Sequence, residues 1–128
     1  MTSNTIIWIL FAIVIVIFFY TRFSSIRGMR NMNAAQFEEA IQSTANRLVI
    51  DVREPGEFKG GHIVGAVNYP LSSLNDKLKN IPSDKQLFIY CQSGMRSRQA
   101  GRVLSKNGYT NLVNLQGGFL SWKGKKVK

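Results

Sequence analysis

The sequence predicts an α/β domain, a mostly parallel β-sheet covered by helices on both faces, preceded by one transmembrane helix. Three observations carry this. The strand-like stretches at residues 48–52, 86–90 and 112–115 are mostly apolar without alternation, so each strand is buried on both faces, as strands of parallel sheets are. Segments with helical spacing separate them, which gives the strand-helix-strand order of a sheet with crossover connections. Residues 6–20 form an unbroken uncharged apolar run.

That run is the first element. No charged side chain appears before Arg22, so residues 4–23 supply about 20 residues, roughly 30 Å of helix, which matches a bilayer's hydrocarbon core. A cleaved signal peptide fits less well, because no Lys or Arg precedes the run and no Ala-x-Ala-like site follows it. Its apolar character all round fits lipid better than a soluble core. Arg22, Arg27 and Arg30 follow it. The positive-inside tendency then places the N-terminus outside and the following domain in the cytoplasm, as a single-pass protein of the cell membrane.

The remaining elements follow in order. Residues 24–32 are expected as a basic juxtamembrane linker, residues 33–123 as the domain and residues 124–128 as a basic tail. Asn33 with Gln36 has the spacing of a capping box and opens a helix through Phe37 and Ile41. Residues 48–52 are a buried strand, which Pro55-Gly56 breaks. Residues 60–68 are punctuated by glycine and hold a short strand around Ala66. Residues 71–78 have helical spacing, residues 86–90 form the next strand, and residues 96–107 form a helix stopped by Gly108. Residues 112–115 make the last strand, Gly117-Gly118 a turn, and residues 119–123 a short closing helix.

Composition excludes several functions. Seventeen Lys and Arg face seven Asp and Glu, for a formal charge of +10. A basic domain tethered beside an anionic leaflet is attracted to it, and Lys123, Lys125, Lys126 and Lys128 add to that. No interleaved aromatic stacking motif or recognition-helix signature accompanies the charge, so nucleic acid is not the expected partner. One Cys and one His cannot supply the usual set of zinc ligands, and no metal site is expected.

The single cysteine carries the most information. Cys91 ends the 86–90 strand and stands just before a helix, where unpaired backbone N–H groups and the positive end of the dipole favour a thiolate. Arg96 and Arg98 lie close in sequence. One cysteine forms no disulfide within a chain, and a reducing cytoplasm keeps its thiol available. In parallel sheets sites gather beyond the carboxyl ends of strands, and the 48–52 strand ends there too, in Asp51-Val52-Arg53.

At this point the residues resemble a family. Asp51-Val52-Arg53-Glu54, Glu57-Phe58, Gly61-His62-Ile63-Val64-Gly65-Ala66-Val67-Asn68, Cys91-Gln92-Ser93-Gly94-Met95-Arg96-Ser97, Gly108-Tyr109 and Gly117-Gly118-Phe119 with Trp122 are similar, in order and spacing, to a single rhodanese-like domain. The transmembrane helix lies outside the resemblance. Val64 departs from it where the family often has proline, which alters loop stiffness rather than chemistry.

The resemblance implies a rhodanese-like fold and a sulfurtransferase without a cofactor. Cys91 would be catalytic, taking sulfane sulfur as a persulfide from a small sulfur-containing anion such as thiosulfate and passing it to a thiol or protein acceptor. Gln92, Ser93, Gly94, Met95, Arg96 and Ser97 would bind substrate: backbone amides hold the persulfide, Gly94 permits the turn, Ser93 and Ser97 donate hydroxyl hydrogen bonds, and Arg96 grips an anionic donor by its fork. Ser97 as a helix N-cap is the plainer alternative. Asp51 either orients Arg96 or the loop, or simply forms a turn at a strand end; Arg53 and His62 are expected to be structural. A tyrosine phosphatase is disfavoured, because its cradle places one more residue between Cys and Arg and commonly has His before the Cys, where this chain has Tyr90. The stronger rival is a sulfur carrier or docking module that serves one partner without turnover.

Overall fold

The computed structural model describes residues 2–23 and 25–128. Its centre is a five-stranded, wholly parallel sheet made of β1 (Met29–Met32), β2 (Arg47–Asp51), β4 (Val67–Asn68), β5 (Gln86–Tyr90) and β6 (Leu112–Leu115), in the order β1-β6-β5-β2-β4. Between β5 and β6 the register pairs Leu87 with Leu112 and Ile89 with Asn114. Because side chains alternate along a strand, Leu87 and Ile89 face one way and Phe88 and Tyr90 the other.

Both faces are covered, as the continuous apolar strands require. On one face Ile50, Leu87, Ile89 and Leu112 pack with Leu74 of α4 (Leu74–Lys77) and with Ala100 and Leu104 of α5 (Met95–Lys106). On the other, Phe37 of α2 (Ala34–Ser43) packs with Val49, Phe88, Val113, Leu115 and Trp122. Phe37 meets the rings of Phe88 and Trp122 edge to face, at 5.3 and 6.1 Å between centroids. The capping box expected at Asn33 is present: Asn33 Oδ1 accepts from the Gln36 N–H at 2.9 Å, and Gln36 Oε1 accepts from the Asn33 N–H at 3.0 Å.

The apolar run forms α1 (Ser3–Phe23), a helix of 21 residues whose described side chains are all exposed. Among the described residues it is the one helix long and apolar enough to cross a membrane; a membrane anchor and a signal sequence share this character.

Six expectations need correction. The segment given to a linker carries β1, which pairs along its whole length with β6; Ser24, its first residue, lies outside the described residues. Pro55-Gly56 does not merely break a strand but opens α3 (Pro55–Lys59), with proline in the first turn, where its missing N–H costs nothing. The single strand expected around Ala66 is two: β4, and β3 (His62–Ile63) in a separate two-stranded sheet. The partner of β3 is β7 (Lys126–Val127), so the expected tail is stitched antiparallel onto the domain. The helix at 71–78 is broken into 3-10 turns at Leu71–Ser73 and Leu78–Asn80 on either side of α4. The closing helix is a 3-10 turn at Gly118–Ser121.

Phe37 is fully buried between two rings. Phe37→Ala is therefore expected to cost about 3–5 kcal/mol of stability, to be measured by urea unfolding of the full chain in mild detergent.

Candidate active site

Cys91 follows β5 directly and its side chain is 1 % exposed. The chain then turns through Gly94, whose φ of +109° is open to glycine and strained for other residues. That turn aims the Gly94 N–H at Cys91 Sγ, 3.0 Å away. The Cys91 thiol in turn donates to Ser97 Oγ at 3.5 Å, and the Ser97 hydroxyl donates to the Gly94 carbonyl at 3.0 Å. Gly94 is the N-cap of α5, so the N-cap alternative for Ser97 is not realised; Ser97 sits buried in the first turn, against the sulfur. One backbone N–H thus donates to the sulfur at a helix start, the kind of dipole that favours an anion without a countercharge, whereas Ser97, expected as a donor, accepts from the thiol and gives its own hydrogen to the Gly94 carbonyl.

A second loop fixes the first. Gly117 and Gly118 take φ values of +83° and +65°, and behind them the Phe119 N–H donates to the Cys91 carbonyl at 2.7 Å and the Leu120 N–H to the Gln92 carbonyl at 3.2 Å. A Cβ on Gly118 would stand 2.6 Å from the Cys91 carbonyl oxygen. The glycine pair, expected only as a turn, is the clamp on the cysteine loop.

Below the loop lies a buried ion pair. Asp51, at the end of β2, is fully buried and Arg53 is 3 % exposed. Arg53 Nη2 donates to Asp51 Oδ2 at 2.8 Å, Nε reaches both carboxylate oxygens, and the Arg53 N–H donates to Asp51 Oδ1 at 2.8 Å. The rest of the fork is used as well: Nη1 donates to Gln92 Oε1 at 3.1 Å and Nη2 to the Gly61 carbonyl at 2.7 Å. The guanidinium also lies 4.4 Å from the centre of the Phe119 ring. Burial works against the Arg53 charge, but the hydrogen bond and charge of Asp51 offset it and leave its pKa above the ordinary value. Asp51 therefore reaches the loop through Arg53 and Gln92, not through Arg96. The Tyr90 hydroxyl accepts from the Ile63 N–H at 3.1 Å, and burial, foremost, raises its pKa.

Arg96 is turned toward α3. Its Nη1 and Nη2 donate to Glu57 Oε1 and Oε2 at 2.7 and 2.9 Å, a parallel two-bond pair with each side chain about one-third exposed. The expected role of Arg96, gripping an anion with its fork, meets an internal carboxylate already in the fork. The hydrogen bond from Arg96, foremost, pulls the Glu57 carboxyl down from 4.5 to about 2, against an opposing effect of burial. His62 is bonded and stacked: its Nδ1 lies 2.8 Å from the Phe58 carbonyl, an acceptor only, so Nδ1 carries the proton, and its ring stacks on Phe58 at 3.7 Å.

The structure thus brings Cys91 to Ser97 into one loop, with Asp51 and Arg53 beneath it and His62 behind α3. Met95 stands exposed at the rim. Ser93 and Gly94 help line an open cleft of about 210 Å³ on the β6 side, together with Asn31, Arg98 and Asn114. Two residues of the site had no role in the sequence reading. Glu57 was visible only as part of a motif, and Gly118 only as a turn former; the paired glycines were the available signal for a close backbone approach.

Glu57 supplies a pH signature. Between pH 4.5 and about 2 the folded chain holds Glu57 ionised where the unfolded chain protonates it, so the unfolded state binds more protons and stability rises with pH across that window. The contribution is complete above pH 4.5 and lost near pH 2. Unfolding of the native chain and of Glu57→Gln, followed by urea denaturation at stepped pH, is expected to show a steeper acid slope in the native chain within this window only.

The comparisons with known proteins converge on these residues. A family model for the rhodanese-like domain matches residues 33–125. The Bacillus subtilis protein YqhL is 44 % identical over 123 residues, covering 96 % of this chain and 95 % of the relative. A sulfurtransferase of Allochromatium vinosum is 32 % identical over 94 residues, covering 73 % of this chain and 88 % of its own. Among solved structures, the rhodanese-related protein of Thermoplasma volcanium superposes with a TM-score of 0.69 at 38 % identity, over 77 % of this chain and 97 % of that one. The matched residues 33–125 include the cysteine loop, its glycine clamp and the buried ion pair, and the chain belongs to the rhodanese-like domain family.

Proposed function

We propose that the protein is a membrane-anchored sulfurtransferase, its domain on the cytoplasmic side, that carries sulfane sulfur on Cys91 from a donor such as thiosulfate to a thiol or protein acceptor. The observation that carries this reading is the Gly94 N–H aimed at Cys91 Sγ at 3.0 Å, in a loop between a parallel strand and a helix start. A thiolate there is stabilised by dipoles that serve the next intermediate equally well. In the first step Sγ attacks the outer sulfur of thiosulfate; the Sγ–S bond forms, the S–S bond of the donor breaks, and sulfite leaves with the electron pair. The persulfide left on Cys91 is again an anion. Its terminal sulfur is then attacked by an acceptor thiolate, and the Cys91 thiolate departs with the electrons of the broken S–S bond, so the cycle needs no external oxidant or reductant.

The chain's own groups serve these steps from the thiolate form of Cys91, the nucleophilic state of a cysteine. The Gly94 N–H and the Ser97 hydroxyl sit at the sulfur. Arg53 holds the Gln92 side chain, and the Gly117-Gly118 turn holds the Cys91 and Gln92 carbonyls, so the cradle is built before the donor arrives.

Mass measurement of the full chain in mild detergent after thiosulfate treatment tests the chemistry. A gain of one sulfur atom on Cys91 is expected, and Cys91→Ser is expected to abolish it together with sulfur transfer to cyanide while leaving the circular dichroism spectrum intact; transfer surviving in folded Cys91→Ser overturns the assignment. Topology has its own test. The apolar helix and the Arg27 and Arg30 that follow it support an anchor with the domain inside. A membrane-impermeant thiol reagent is expected to leave Cys91 unmodified in intact cells and to modify it after lysis under mildly unfolding conditions. Labelling before lysis inverts the orientation, and extraction by alkaline carbonate removes the span.

A further inference from the structure

Building on sulfur transfer at Cys91, we propose that Glu57 is a specificity-determining residue: it occupies the Arg96 fork as an internal anion and biases the site against dianionic sulfur donors, toward persulfides of low charge.

Charge accounting around the loop leads to this. Arg96 is the only charged side chain from Cys91 to Ser97, and its charge acts on Cys91 as well as on Glu57 and Glu54. It is the group best placed to draw an anion to the sulfur. Yet both of its terminal nitrogens are committed to the two oxygens of Glu57, at 2.7 and 2.9 Å. The neighbouring cation on this side, Arg53, is buried and committed to Asp51, Gln92 and Gly61. Each of these two guanidiniums is therefore matched by a carboxylate, while the further cations near this side, Lys59 at the end of α3 and Lys126 at 5.0 Å from the centre of the Phe119 ring, stand away from the Arg96 fork. Arg98 lies on the other side of the loop, in the cleft lined by Asn31 and Asn114.

Thiosulfate, with two negative charges, finds the Arg96 fork already filled by Glu57. To use the Arg96 fork it must displace Glu57, exchanging one bidentate anion for another and leaving the displaced carboxylate close by. A persulfide of the form R–S–SH carries at most one charge, on its sulfur, and needs only the cradle. Its transfer balances simply: Cys91 Sγ attacks the terminal sulfur, the new Sγ–S bond forms as the R–S bond to that sulfur breaks, and R–S⁻ leaves with the electron pair and takes up the proton of the former S–H. Glu57 is suited to this duty because its backbone is fixed. It lies in α3 behind Pro55, and its Oε1 also accepts from the Glu54 N–H at 3.2 Å, so the carboxylate is held toward Arg96.

The experiment compares two donors, thiosulfate and N-acetylcysteamine hydropersulfide, whose only ionisable group is its sulfur. In the full chain, Glu57→Gln is expected to raise the ratio of kcat/KM for thiosulfate over the persulfide by roughly tenfold or more, through KM for thiosulfate rather than kcat. Glu57→Asp, which keeps the charge, is expected to stay near the native ratio. A thiosulfate KM that is unchanged or higher in Glu57→Gln, or a parallel change for both donors, overturns the proposal and leaves Glu57 a support for α3. Calorimetric binding of thiosulfate in a Cys91→Ser background separates this from the chemistry. There Glu57→Gln is expected to bind roughly tenfold tighter, and equal affinity overturns the charge argument. Failure of both donors to load sulfur on native Cys91 overturns sulfur transfer instead, while the binding contrast still decides the role of Glu57.

Discussion

The Asp51–Arg53 ion pair is the interaction on which the site depends. Two opposite charges taken out of water at the end of a strand cost several kcal/mol of desolvation, which excellent geometry and further hydrogen bonds must repay. Here nearly every donor of the guanidinium is used, on Asp51, Gln92 and Gly61, and its face is covered by Phe119. The Asp51 and Arg53 carbonyls are tied in turn by Asn68 Nδ2, at 2.9 and 2.8 Å. One residue thereby joins the ends of β2 and β4, the segment before β3, the cysteine loop and the closing turn. A lysine offers no planar fork and could not serve these directions at once. An apolar pair of similar volume would satisfy the core, but it would leave Gln92 without an anchor.

Against that charged foundation the sulfur itself meets only neutral groups. Gly94 and Ser97 address it, and the charge of Arg96 is drawn aside by Glu57. The arrangement separates two tasks that a single cation would confuse. A guanidinium in contact with the thiolate would also bind the leaving sulfite, slowing release, whereas backbone dipoles favour an anion at one position and do not follow it away. The precision of those dipoles comes from Gly118, whose missing side chain lets the closing turn donate straight to the Cys91 carbonyl.

Much of this was legible in the chain because it is written locally. The strands at residues 86–90 and 112–115 and the capping box at Asn33 follow from apolar continuity and a three-residue spacing, and the structure has them with the same bounds or partners. The cysteine loop was legible as strand, glycine, helix. β1 was not, because Met-Arg-Asn-Met is an edge strand with its two central side chains exposed, so its apolar signal is half erased and its pairing with β6 is decided by tertiary contact. β7 has two residues and exists only because β3 is there to pair with it. The Asp51–Arg53 pair has a local trace, since residues two apart on an extended chain share a side, but the sequence points Asp51 to Arg96 or the loop, or to a turn, and not to Arg53. Glu57 and Arg96 lie 39 residues apart, and no periodicity connects them.

The parallel sheet also sets where the chemistry lies relative to α1. The chain leaves that helix and enters the sheet at the amino end of β1, where the Ser105 hydroxyl, near the carboxyl end of α5, donates to the Arg27 carbonyl at 2.7 Å. Cys91 lies at the opposite, carboxyl edge, at the amino end of the same α5, whose 12 residues give a separation of about 18 Å along its axis. All five strands of the sheet run in one direction, so no strand returns the sulfur toward the entry point. The residues that follow α1, Arg27 and Arg30, therefore lie at the end of the sheet opposite the one that carries Cys91, and α5 bridges the two ends.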